Sequence, residues 1–90
     1  MEPEKPKTEA ALKRETAKWL VKLEREISGA KSTGKLPDRQ FKEAMNNVRA
    51  YISDCKYFSS RGDLVNAFEA VIYAWGIFET LERTGLLKKK

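Results

Sequence analysis

Residues 62–78, GDLVNAFEAVIYAWGIF, constrain this chain more than any other stretch. Gly62-Asp63 reads as a tight turn that hands over to a helix, because glycine accepts a left-handed conformation and an aspartate caps free backbone N–H groups. At about 100° per residue, Leu64, Ala67, Phe68, Val71, Ala74, Trp75, Phe78 and Leu81 fill one broad face. Ala70 and Ile77 widen it on one side, Val65 and Ile72 on the other. Asn66, Glu69, Tyr73, Gly76 and Thr80 alone form a polar or neutral strip. The apolar arc spans about 240°, against the roughly 100° stripe of an ordinary surface helix. Such a helix needs neighbours on more than one side.

The rest of the chain offers two. Leu12, Thr16, Trp19, Leu20, Leu23 and Ile27 recur at helical spacing behind a Lys/Arg/Glu face. Thr8 is a candidate N-cap for this first helix, and Ser28-Gly29 a candidate end, with Gly29 left-handed. Residues 1–7, with Pro3 and Pro6, read as a disordered lead. The segment AKSTGKLP is a loop closed by Pro37. A second helix begins near Asp38, and its stripe is Phe41, Met45, Val48, Ile52, Cys55 and Phe58. Gly62 stops it, so the second and third helices are antiparallel neighbours. Gly85 followed by Leu86, with Leu81 three positions into the last turn, predicts a Schellman cap on the third helix. No strand pattern and no internal repeat is present. The fold expected is all-α, an antiparallel three-helix bundle with helices at about 8–29, 38–61 and 63–84. One domain spans residues 8–87, and residues 88–90 form a basic, solubilising tail.

Two arrangements accommodate the wide apolar arc. In the simpler one the third helix is central and its two neighbours cover it. In the other, the flank Val65–Ile72, with Gly76 beside it, meets a second chain, since contiguous exposed apolar surface marks interaction sites.

Several chemistries are absent from the sequence. Without histidine there is no Ser-His-Asp or Cys-His arrangement and no ordinary zinc site. The single cysteine excludes an internal disulfide, in keeping with a reducing cytoplasm, and Cys55 sits on a core stripe as a small hydrophobe. No Gly-rich phosphate loop occurs, and acid pairs such as Glu24/Glu26 and Glu79/Glu82 lie among lysines or at a helix end. The expectation is therefore a non-catalytic protein without a cofactor or metal. Neither a signal peptide nor a run of about 18 apolar residues is present, so no membrane partner is expected.

The net charge of +5 is local: residues 27–62 hold seven Lys/Arg against three acids, whereas the flanking segments are nearly balanced. Lys42, Arg49 and Lys56 form a ridge on the second helix, with Tyr57 beside it and Lys31, Lys35, Arg39 and Arg61 at its ends. Clustered cations and an exposed aromatic suit phosphate and base contacts. One tyrosine without a nucleic-acid motif equally suits basic flanks whose aliphatic stems shield the core edge.

The run Asp54-Cys55-Lys56-Tyr57-Phe58, then Gly62-Asp63, Asn66-Ala67-Phe68-Glu69-Ala70, Tyr73-Ala74 and Gly85-Leu86, resembles the short archaeal proteins of the "domain of unknown function 357" family. The resemblance covers roughly half the chain and implies a small archaeal helical bundle with no established activity. Members tend to carry histidine where this chain has Trp75 and aspartate where it has Glu79. A weaker likeness, carried by Gly62, Ala67 and Ala74, is to one hairpin of a tetratricopeptide array, though no second copy of the repeat is present. It implies a surface for another polypeptide. The expected function is a cytoplasmic interaction module that binds a protein partner or its own copy through Val65, Ile72 and Gly76. The alternative is weak RNA or DNA binding through Lys42, Arg49, Lys56 and Tyr57.

Overall fold

In a computed structural model, residues 4–89 are described, with side chains from residue 8 onward. The order of elements is α1 (Glu4–Ser28), β1 (Ala30–Ser32), α2 (Asp38–Ser60), α3 (Leu64–Arg83) and β2 (Leu87–Lys89). The three helices form the expected bundle. Trp19 meets Trp75, and Glu26 shares a lysine with Glu82, so α1 and α3 run parallel, with α2 antiparallel to both. The core is the set of expected stripes: Leu23 from α1, Met45, Val48, Ile52 and Cys55 from α2, and seven residues of α3.

Both glycine turns form as their sequence demands, and for one reason. At the end of α2, Gly62 has φ +75°, its N–H donates to the Ser59 carbonyl, and Asp63 N–H donates to the Phe58 carbonyl. At the end of α3, Gly85 has φ +76°, its N–H donates to Glu82, and Leu86 N–H donates to Leu81 at 2.9 Å. These paired bonds satisfy orphan carbonyls at a helix end, and only a residue without Cβ reaches the left-handed turn without strain. Asp63 then begins α3, its Oδ1 accepting from Asn66 N–H at 3.4 Å and its Oδ2 from Asn66 Nδ2 at 2.7 Å.

Four expectations are corrected. Helix α1 starts at Glu4 rather than near residue 8, so residues 4–7 are helical, and residues 1–3 lie outside the described set. Pro6 fits within the first turn, where its missing N–H has no intrahelical acceptor to lose. Thr8 is thereby inside the helix and does not cap its start. Gly29 is not left-handed; it donates to Glu26 and leads straight into a strand.

That strand is the third departure. Ala30–Ser32 pairs antiparallel with Leu87–Lys89, in the register Ala30↔Lys89, Lys31↔Lys88, Ser32↔Leu87. The loop is therefore shorter than AKSTGKLP, running from Thr33 to Pro37, with Gly34 at φ +86°. The fourth is the basic tail. Lys88 and Lys89 belong to β2, while Lys90 lies outside the described residues. Lys89 Nζ contacts Glu26 at 3.1 Å and Glu82 at 3.3 Å, tying the ribbon to the ends of both α1 and α3. These two hydrogen bonds raise the Lys89 ammonium pKa above its ordinary value. A lone two-stranded ribbon is marginal in water. Here Leu87, 2% exposed, anchors it in the core, and Thr33 Oγ1 donates to the Gly85 carbonyl at 2.6 Å.

Candidate interaction face

The third helix is central, but its neighbours do not cover it. The α1 side is fixed by Trp75, whose Nε1 donates to the Trp19 carbonyl at 3.0 Å. The two indoles meet edge to face at 5.7 Å, and Lys22 Nζ lies 5.1 Å from the Trp19 ring and 5.9 Å from the Trp75 ring. The α2 side is fixed by the alanines, Ala67, Ala70 and Ala74, which are nearly or fully buried and let α2 approach closely. Tyr51 of α2 lies against Tyr73 at 5.6 Å and marks that border.

Between those borders the outer face of α3 is open. Val65 is 69% exposed, Ile72 43% and Tyr73 54%, and Gly76 is exposed beside them. The α3 residues Ile72, Tyr73, Gly76, Ile77, Thr80 and Leu81 line an open groove of about 620 Å³. On the other side of the same ridge, Ile72 and Gly76 line a cleft of about 280 Å³ with Trp19, Trp75 and Glu79. Ile72 and Gly76 are common to both, whereas Val65, two turns nearer the start of α3, lines neither and borders a separate cleft with Thr8, Glu9 and Leu12 of α1. Tyr73, Ile77 and Thr80 also belong to the open groove and were missed. Their signal was the groove beside a helical glycine, which periodicity alone does not mark.

Gly76 is informative for a physical reason. A Cβ built there meets nothing within 4 Å, so the monomer's packing does not require glycine. An interior helical glycine costs about 0.5–1 kcal/mol relative to alanine. Thr80 Oγ1 donates to the Gly76 carbonyl at 2.8 Å, which keeps both polar groups satisfied within the helix. Glu69 and Arg83 lie seven residues to either side of Gly76, are exposed, and form no ion pair among the described residues.

The basic ridge is in place but partly spent. Lys42, Arg49 and Lys56 are exposed on α2. Lys56 Nζ contacts Glu24 Oε2 of α1 at 2.6 Å, so one of the three cations is paired inside the molecule. Tyr57 is 55% exposed, with the Arg61 guanidinium 5.5 Å from its ring centre and the Phe58 ring edge-on at 5.6 Å. The stacking surface expected of Tyr57 is thus already shared with Arg61. Cys55 is fully buried, and that burial pushes its thiol pKa above the ordinary value; Glu24 adds to the rise, against lowering by Ser59 and Lys56. Among the described residues no cluster of acids and sulfur has the form of a metal site. By length and composition α3 is apolar enough to cross a bilayer, and seven of its residues are buried in the bundle core.

A parallel α1/α3 pair, an antiparallel α2 and a closing antiparallel two-stranded ribbon of residues distant in sequence define a small helical bundle with an uncovered face on α3. Comparison with known proteins places it further. Residues 18–87 match the family described as "Protein of unknown function (DUF357)", and the chain belongs to that family. The crystal structure of a family member from Archaeoglobus fulgidus is similar, with a TM-score of 0.79 and 37% sequence identity, over 92% of this chain and 99% of that one. No curated protein matches. Where the family resemblance expects histidine, Trp75 instead serves as the bolt between α1 and α3.

Proposed function

We propose that this protein is a non-catalytic docking module whose outer α3 face, centred on Val65, Ile72 and Gly76, binds another polypeptide. The observation that carries the reading is the pairing of exposed apolar side chains with a helical glycine that the monomer does not need. Among the described residues, three of the five exposed large hydrophobics, Val65, Ile72 and Tyr73, lie on this face. A contiguous apolar patch with a charged rim is the surface that a partner helix buries. Gly76 would let that partner's backbone come close, adding dispersion contacts that a side chain would block.

The test is a photo-crosslinking residue placed at Ile72 or, as a control, at Lys42, in native cells. Polypeptide adducts are expected from position 72 and not from position 42, and they should vanish when Val65→Glu is added. An absence of adducts at position 72, or equal yields at both positions, would overturn the reading.

A further inference from the structure

Resting on that docking face, the geometry points to its occupant: we infer that the partner is a second copy of this chain, with two α3 helices crossing antiparallel about Gly76. A two-fold contact must be self-complementary, so each residue has to find a suitable partner at its mirror position. For a crossing centred on residue 76, position 69 meets 83 of the other copy, and 72 meets 80. Glu69 therefore opposes the other copy's Arg83, and by symmetry this pairing occurs twice. Both residues lie about 10 Å from Gly76 along the helix axis, seven residues being close to two full turns. Neither has an ionic partner within its own chain among the described residues.

The remaining positions fit the same axis. Ile72 would pack beside Gly76 and against Thr80 of the second copy, whose hydroxyl is already committed to the Gly76 carbonyl. No like charges are juxtaposed anywhere in this register. Moving the centre by two residues, to position 74, places Glu69 against Glu79, so the charges disfavour that register. Gly76 sits on the axis, where two backbones approach most closely and where a Cβ would intrude twice. The apolar area is modest, so the association is weak, with a dissociation constant on the order of 10 µM.

Sedimentation equilibrium over about 1–300 µM tests the inference on five chains. The parent chain should approach a species of twice 10.3 kDa. Glu69→Arg and Arg83→Glu should each weaken association about tenfold, two exposed ion pairs being removed per dimer. The double exchange Glu69→Arg/Arg83→Glu should restore it. Gly76→Ala should weaken association while raising the melting temperature at dilutions where the chain is monomeric, which separates an interface effect from misfolding. A parent chain that stays monomeric throughout, or a double exchange no better than either single change, overturns the second-copy assignment. The in-cell adducts then separate the two readings: adducts of another mass leave the docking face standing with a different partner, whereas no adducts remove both.

Discussion

Trp75 offers the sharpest test of how the bundle is held. Helix α1 touches α2 little and depends on α3, and the strongest element of that contact is the indole pair. Truncating Trp75 to alanine removes an 8% exposed side chain and leaves a cavity between α1 and α3, at a cost of about 3–5 kcal/mol. Trp75→Phe is more diagnostic. The phenyl ring keeps the edge-to-face contacts with Trp19 and Phe78. It loses the Nε1–H bond to the Trp19 carbonyl, 3.0 Å long, and part of the ring volume. That carbonyl lies inside α1 and still accepts from its own helix, so no buried acceptor is orphaned. The loss is then near the net value of one hydrogen bond plus a small void, about 1–2 kcal/mol. For a domain of this size, that lowers the melting temperature by roughly 5–15 °C. Urea titration followed by circular dichroism gives the free energy, and Trp19, left as the only tryptophan, reports by fluorescence on α1. A loss below about 0.3 kcal/mol, or equal losses for Phe and Ala, would refute the role given to the indole N–H.

Four further outcomes follow from other parts of the molecule. Asp63→Ala should cost about 0.5–1 kcal/mol, the low end for a cap because the backbone contact is long; an unchanged urea midpoint would remove its capping role. Cys55 should resist thiol reagents near neutral pH until the chain unfolds. Its folded pKa is raised, so the unfolded chain loses the thiol proton first, and stability should fall as pH climbs past 9.0; Cys55→Ala should lose that part of the decline. Lys89 acts in the same direction at higher pH, its raised pKa meaning that its contacts are complete below 10.5 and lost as pH passes the folded value. Finally, with Lys56 held by Glu24, no RNA mobility shift is expected at physiological salt. A shift that survives there and disappears on Lys42→Gln/Arg49→Gln/Lys56→Gln would restore the ridge as a binding site.

What the sequence determined by itself is local in origin. Helical periodicity marks every stripe that became core, because side chains three and four apart must share a face whatever surrounds them. The turns at Gly62 and Gly85 were legible because a left-handed residue without Cβ is a property of that residue alone. Even the surplus on α3 could be read as an arc too wide for one neighbour. The tertiary structure decided what depends on distant residues. The Ala30–Lys89 ribbon joins segments separated in sequence by the whole of α2 and α3, and three-residue strands carry no period to read. Lys89 acquired its partners only because α1 and α3 end side by side. The fate of the surplus was settled by placement: α1 and α2 attach at Trp75 and at the alanines, and the flank bearing Val65 and Ile72 is the one left to solvent. Periodicity gives the angle of a side chain around its own helix, and only packing fixes where the neighbouring helices stand.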